Sequence, residues 1–462
     1  MQELLTSLND PQRGAVETVS GPVMIIAGAG SGKTRVITYR TAYLIKEAGA
    51  PPKHILALTF TNRAAGEMRE RVEHLLGEGA TRGLWIGTFH SNFARLLRMH
   101  AAEIGYTNEF SIYDSEDSQK VIKEAMKELN ISTDQFTPNS MQSRISMAKN
   151  KFILPEQYAR NVSDYAEEKT AIVYRRYTER LRRNNAMDFD DLLIKPIELF
   201  QSKQNVLEFY QNRFEYLMID EYQDTNKAQY IVAKLLAEKH RNICVVGDDA
   251  QSIYSWRGAE ISNILSFQQD YPEAKVFRLE ENYRSTKNIL KISNAVIKKN
   301  KEQLEKTLFT NNPAGEAITL IDAQSEKQEA EKVSMAIRNM KLTQGRMNKD
   351  FAIFYRTNAQ SRALEDSLKF QGIAYQIFGG VSFYKRREVK DVVAYLRFLL
   401  NEQDEDSLLR IINVPARGVG ETTIEKLRML AATEGVPFYD VVRQIVRYDF
   451  PPRVVSSLND FR

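Results

Sequence analysis

The stretch Val23-Met-Ile-Ile-Ala-Gly-Ala-Gly-Ser-Gly-Lys33-Thr34 decides the fold. Its first five residues are a short apolar run, which reads as a buried strand. Gly28, Gly30 and Gly32 then alternate with Ala29 and Ser31, and Lys33, Thr34 and Arg35 open a helical pattern. A strand, a glycine loop and a helix in this order make a cradle for phosphate. Backbone N–H groups converge on the oxygens, and the helix N-terminus favours negative charge. Lys33 then reaches the β- and γ-phosphates, and the Thr34 hydroxyl holds Mg²⁺. The strict pattern has glycine where this chain has Ala27, and the alternative reading is a glycine-rich turn before a helix.

Working outward, the same grammar recurs. Ile55–Phe60, Leu84–Thr88, Tyr216–Ile219, Ile243–Gly247 and Val276–Leu279 are apolar runs that end in small or polar residues and pass into helical patterns. Strands alternating with helices predict a parallel sheet covered on both faces, with ligands at the carboxyl ends of the strands. Tyr216-Leu-Met-Ile-Asp220-Glu221 puts two carboxylates at such an end. Asp220 is the expected Mg²⁺ ligand and Glu221 the group that polarises attacking water. Solvated acids on a strand-end turn are the alternative.

Asp114–Phe200 is rich in Glu, Lys, Arg, Gln, Met and Tyr, with Val121, Ile122, Ala125, Met126 and Leu129 at helical spacing. It reads as a helical subdomain inserted between strands of one sheet. Ile318–Ile321, Phe351–Tyr355 and Tyr375–Phe378 read as three further strands, too few for a complete nucleotide-binding sheet. From Ser382 onward the pattern is helical, with Val389, Val392, Val393, Leu396 and Leu399 on one stripe. No internal repeat or low-complexity tract is visible.

The 462 residues correspond to about three domains. Hydrophobic residues at 43% and charged residues at 27% exclude disorder and fibrous repeats as the main theme. No apolar run approaches the roughly 20 residues of a membrane helix, and Met1–Gln12 lacks the basic and apolar regions of a secretory signal. Cys244 is the single cysteine, so an internal disulfide and a cysteine zinc site are excluded, and a cytoplasmic setting is expected. Within its apolar run it reads as core filling. The 64 basic and 60 acidic side chains give a net charge of +4, so any nucleic acid is held in a local groove.

Ordered motifs carry a resemblance. Asp220-Glu-Tyr-Gln-Asp-Thr-Asn226 resembles the second motif of superfamily 1 DNA helicases of the UvrD, Rep and PcrA branch. Leu8–Gln12, Leu58–Ala65, Gly87–Ser91, Met187–Leu193, Val246–Gly258 and Glu281–Thr286 resemble further motifs of that branch, in order. Ala27 is what the branch usually carries. The resemblance implies that Gln12 recognises adenine, that Tyr283 stacks on the base, and that Gln251 senses the γ-phosphate. Arg284 becomes one of two cationic fingers on the transferring phosphoryl group. It assigns single-stranded DNA to Phe60, Phe189 and Trp256 by stacking, with Arg257, Thr61, Asn62 and His90 near phosphates or bases. A core position is the alternative for Trp256 and Phe60, and a loop-ordering hydrogen bond for His90. Arg180–Arg183 reads as a solvated helix face.

The expected architecture is α/β. Residues 1–109 and 186–279 form a RecA-like P-loop domain interrupted by a helical insertion at 110–185. An incomplete second RecA-like domain follows at 280–378, then part of a helical accessory domain at 379–462. Phe351–Arg362, Gly379–Glu388 and Asn413–Gly420 resemble downstream segments of the branch, but its motifs V and VI are not found. The expectation is a fragment of an ATP- and Mg²⁺-dependent DNA helicase moving 3′ to 5′ on single strands and at single–double-strand junctions, in repair or replication. The rivals are an ATP- and DNA-binding module with little turnover, and the motor of a helicase–nuclease.

Overall fold

The computed structural model describes residues 5–300, 303–304, 306–378 and 387–461, with the side chain of Arg257 outside that description. Its strands are β1 (Val23–Ala27), β2 (Ile55–Thr59), β3 (Trp85–Thr88), β4 (Ser111–Tyr113), β5 (Ala186–Asp188), β6 (Tyr216–Ile219), β7 (Ile243–Gly247) and β8 (Lys275–Leu279). All six apolar runs expected as strands of the first sheet form, with ends shifted by at most one residue. They build one parallel sheet in the order β3-β2-β6-β7-β1-β8.

β1 and β7 are interior strands of this sheet, and every residue in both is buried. A strand covered on both faces has no polar side to show, which is why these runs are continuously apolar. Their side chains alternate between two cores. Met24, Ile26 and Val245 face helices that include Phe89–Met99, Asp191–Ser202 and Lys227–Ala237. Val23, Ile25, Cys244 and Val246 face Asp10–Glu17, Lys33–Lys46 and Asn62–Leu76. Cys244 is core filling, as read.

The insertion is pinched at its neck by β4 and β5, which pair in parallel with Ile112 opposite Met187. Between them the helices Ser115–Glu128, Pro138–Asn150 and Tyr165–Arg183 enclose their own core, with Val121, Ile122 and Met126 in it. β5 corrects the all-helical reading of this stretch. Its three residues are too few for a visible pattern and are held by pairing across the insertion.

Two compact units emerge, Met1–Ala314 with Ala394–Arg462, and Gly315–Val393. In the first, the C-terminal helices rest on the insertion. Tyr113 donates to Asp404, Arg397 pairs with Asp117 at 2.7 Å, and Arg428 pairs with Glu124 at 2.8 Å. Burial among these groups raises the Asp406 carboxyl to about 7. Two expectations are corrected here. Arg180 is buried and pairs with Glu128, so that basic run is not simply solvated. On the helix Arg387–Leu400 the buried face is Ala394 and Phe398, while Val392, Leu396 and Leu399 are exposed. The apolar stripe was real, but packing used the neighbouring face.

In the second unit, the helices Glu326–Gln344 and Ser361–Phe370 pack through Ile337 and Leu368, with Ile373, just beyond the second helix, in the same cluster. The three strands expected there do not form ladders among the described residues. Phe351–Tyr355 and Tyr375–Phe378 instead line a cavity of about 760 Å³. Leu320 and Phe354 are almost fully exposed, because an extended segment becomes a strand only where a neighbour takes its hydrogen bonds. Most of Gly379–Glu388 lies outside the described residues. No helix among the described residues is long and apolar enough to cross a membrane.

Candidate functional site

The residues singled out in the first sheet gather at its carboxyl edge. The glycine loop follows β1, Phe60 follows β2, His90 follows β3, Asp220 follows β6, Asp248 follows β7, and Tyr283 and Arg284 lie just beyond β8. Parallel strands put all their carboxyl ends on one side, so residues distant in sequence share one surface.

The loop needs its glycines. Gly30 and Gly32 have φ of 68° and 92°, a conformation open to glycine at little cost. A side chain at Gly30 would also meet Asn282 Nδ2 at 2.7 Å. Ser31 Oγ donates to the Gly28 carbonyl at 2.7 Å, and Tyr283 N–H donates to the Gly30 carbonyl at 3.0 Å. Asn282 Nδ2 donates to the Ala29 carbonyl at 2.5 Å. Lys33 is the first residue of its helix and Thr34 the second, both half-buried.

Gln12 lies buried under this loop, its Nε2 donating to the Ser31 carbonyl at 2.9 Å. Its Oε1 accepts from Asn9 N–H at 3.2 Å, closing a capping box at the start of its helix. Asn9 also donates to the Tyr283 hydroxyl at 2.9 Å, which in turn donates to Glu281 at 2.7 Å. Burial and the Glu281 carboxylate raise the Tyr283 phenol to about 12. Arg35 donates to Ser7 Oγ at 2.8 Å on the same side. Arg284 is exposed beside Gly30.

Lys33 Nζ lies 3.6 Å from Glu221 Oε2. Burial and the neighbouring Glu221 raise the Asp220 carboxyl to about 7, with Lys33 opposing. Burial and Glu221 likewise raise Asp224 to about 6, and its buried Oδ1 has no hydrogen-bond partner. Carboxylates crowded around one ammonium suit a hard dication. No cage of three or more His, Cys, Asp or Glu side chains occurs among the described residues. Mg²⁺ bound through nucleotide phosphates requires only one or two carboxylates, so Asp220 and Thr34 fit it.

A hydrogen-bonded chain runs from these acids to the loop after β7. Gln223 Nε2 donates to Glu221 at 2.9 Å, and Gln223 Oε1 accepts from Asp248 N–H at 2.9 Å. Gln251 Nε2 donates to Asp248, and the half-buried Lys306 pairs with both Asp248 and Asp249. Gln223 and Asp248 both lie in the motifs quoted above, yet the sequence alone gives them no role. Lys306, in a polar stretch, carried no signal.

Beyond this chain opens a groove of about 590 Å³ lined by Phe60, His90, Phe189, Tyr254 and Trp256 among others. Phe60 and Tyr254 have ring centroids 4.8 Å apart, and Tyr254 and Trp256 6.4 Å. His90 meets Phe189 edge-on at 5.8 Å. Trp256 is 62% and Phe189 52% exposed, which removes the core alternative for Trp256, while Phe60 is half-buried. Tyr254 was missed, though it lies inside a quoted motif. Thr61 caps the helix Asn62–Leu76, its Oγ1 accepting from Ala64 N–H, and neither Thr61 nor Asn62 is among the groove-lining residues. Arg257 lies in the turn Ser255–Arg257, with its side chain outside the described residues.

The model of the UvrD/REP helicase N-terminal domain matches residues 8–272, and that of the UvrD-like helicase C-terminal domain matches residues 277–449. The chain belongs to the UvrD/Rep helicase family. Curated relatives of this family include proteins named ATP-dependent DNA helicase PcrA. That of Bacillus subtilis is 47% identical over 460 residues, which are 100% of this chain and 62% of the relative. Those of Staphylococcus epidermidis and Staphylococcus aureus are each 48% identical over 96% of this chain, covering 61% and 60% of the relatives. The chain thus spans about three-fifths of the length of these curated relatives. The α/β class with a RecA-like parallel sheet and inserted helices agrees with this family. The expected sheet of a second RecA-like domain is not formed among the described residues.

Proposed function

We propose that this chain binds ATP–Mg²⁺ and single-stranded DNA in an ATP-dependent DNA helicase that moves 3′ to 5′ on the single strand. One observation carries the reading. The glycine loop and the aromatic groove share the carboxyl edge of one sheet, and Glu221, Gln223 and Asp248 join the acids after β6 to the loop after β7 that leads on to Tyr254 and Trp256. The relatives named as ATP-dependent DNA helicases support it.

Backbone N–H groups of Gly28, Ala29, Gly30, Ser31 and Gly32 hold the phosphates, and Lys33 neutralises the β–γ bridge. Tyr283 and Arg35 flank the base, and Gln12 reads its edge once its amide leaves the Ser31 carbonyl. Thr34 and Asp220 would hold Mg²⁺, which when bound neutralises phosphate charge. Glu221 accepts the proton of the attacking water, and Arg284 meets charge developing on the γ-phosphoryl group. Gln251 reports the γ-phosphate through Asp248. Phe60, Phe189, Tyr254 and Trp256 stack bases without regard to sequence, with His90, Thr61, Asn62 and Arg257 alongside the strand. Junctions between single- and double-stranded DNA are the proposed substrate, repair or replication the setting and the cytoplasm the compartment.

A binding-only reading is the rival, favoured by one fact. Arg284 is the one arginine in these 462 residues to which the resemblance assigns the γ-phosphate, and an arginine finger is worth roughly 10³–10⁵ in rate. Steady-state ATP hydrolysis with and without oligothymidylate, alongside Lys33→Ala, separates the two. DNA-stimulated turnover lost in Lys33→Ala supports the motor. Binding of both ligands without turnover supports the rival, and binding of neither sinks the site.

A further inference from the structure

Asn150, the last residue of the helix Pro138–Asn150, is buried where three chain segments meet. Its Nδ2 donates to Asp190 Oδ1 at 3.2 Å and to the Ser146 carbonyl at 2.8 Å. Its Oδ1 accepts from Asn226 Nδ2. From the third segment, Gly258 approaches with φ of 80°, so close that a Cβ built there would lie 2.9 Å from Asn150 Cβ.

Each segment carries a group already placed at the site. Asp190 directly follows Phe189, and Gly258 follows Trp256 by two positions. Asn226 ends the acid-bearing segment and caps the helix Lys227–Ala237, accepting from Gln229 N–H at 2.9 Å. Next to Asn150, the buried Lys149 grips both flanks of the Phe189 turn, with Nζ 2.7 Å from Asp188 and 2.8 Å from Asp191. Phe189 and Trp256 are both more than half exposed, so surrounding packing does not fully set where their rings stand. The turns that carry them share that task with the neighbouring rings, and Asn150 bonds to Asp190 beside one turn and packs against Gly258 beside the other.

We propose that Asn150 is a positioning residue for single-strand binding. It sets the separation of the Phe189 and Trp256 stacking platforms and ties both to Asn226 at the end of the acid-bearing segment. The inference rests on reading the groove as the single-strand site. Stacking needs a fixed distance between rings, whereas contacts to phosphates tolerate small shifts because charge acts over a longer range. Loss of Asn150 is therefore expected to weaken stacking while leaving the electrostatic share of binding intact.

The test is a fluorescence titration with oligothymidylate. Trp256 is exposed and Trp85, the other tryptophan, is 2% exposed, so quenching by bound bases reports on Trp256. Asn150→Ala is expected to raise Kd about tenfold and to reduce the quench at saturation, since one stacked base is worth about that factor. The slope of log Kd against log salt and the affinity for a fluorescent ATP analogue are expected to stay at parent values, while the melting temperature falls by a few degrees because Asn226 and Asp190 lose a buried partner. A purely structural role would instead lower ATP affinity and oligothymidylate affinity together. Asn150→Leu keeps about the same side-chain size without adding charge, loses donation to Asp190 and acceptance from Asn226, and provides the same readout should the alanine variant not fold. Parent-like Kd and quench in a folded variant would overturn the inference. Failure of the unmutated chain to bind oligothymidylate would overturn the groove reading itself, and is seen before any variant is made.

Discussion

The Lys33 ammonium stands 3.6 Å from the Glu221 carboxylate, although the two residues follow β1 and β6, strands separated in the sheet by β7. A γ-phosphate entering between them would take the ammonium and leave the carboxylate facing water. Lys33→Ala is expected to weaken ATP binding and to cut any turnover by roughly 10²–10³, the usual loss when a donor to developing charge is removed. Titration with a fluorescent ATP analogue, paired with steady-state phosphate release, checks both.

Glu221→Gln separates binding from chemistry. The amide keeps the size of the side chain and cannot take a proton from water. ATP affinity is expected to stay within a few-fold of the parent while hydrolysis drops by about 10²–10⁴, the share of a positioned base. Equal losses in affinity and rate would place Glu221 in binding instead.

Phe189→Ala and Trp256→Ala each remove one exposed ring from the groove. Each is expected to weaken oligothymidylate binding by about 1–3 kcal/mol, with similar losses on mixed-sequence strands, because every base offers a stacking face. Anisotropy titrations with several sequences measure this.

The Asp220 carboxyl provides a test in pH. Burial beside Glu221 raises it from 3.8 to about 7 in the folded chain. The folded state therefore holds this proton more tightly than the unfolded state does. The stability this contributes is full below about pH 4 and is lost as pH rises to about 7. Asp220→Asn is expected to melt higher than the parent at pH 8, on the order of 2–4 °C, with the difference vanishing near pH 4. Scanning calorimetry without nucleotide or magnesium would show it, and a difference independent of pH would contradict it.

Lys149→Met tests the buried ion cluster. It leaves Asp188 and Asp191 buried without their shared cation, and breaking such a pair from one side costs about 3–5 kcal/mol. Urea denaturation is expected to show a loss of that order, and a loss below about 1 kcal/mol would mean that water already reaches the carboxylates.

Strand positions were legible because β1, β6 and β7 are covered on both faces and so are written as unbroken apolar runs. The glycine loop after β1 was legible because its pattern is local: glycines, one lysine and one threonine in a row. Elsewhere local pattern failed. β5 is three residues long and exists through β4, and the Val392–Leu396–Leu399 stripe is apolar yet exposed. Arg180 looks solvated in sequence and is buried against Glu128.

By itself, then, the sequence determined the parallel α/β sheet, the glycine loop after β1, the two acids after β6 and the family. Each is encoded in residues adjacent along the chain, where backbone geometry and hydrophobic period suffice. Tertiary structure alone decided how those pieces are joined. Gln223 reaches Asp248, Lys306 pairs with Asp248, and Asn150 meets Asp190, Asn226 and Gly258. Such contacts depend on which strand ends and helix ends the fold brings side by side. Hydrogen bonds act over about 3 Å, so no periodicity along the chain records a partner many residues away.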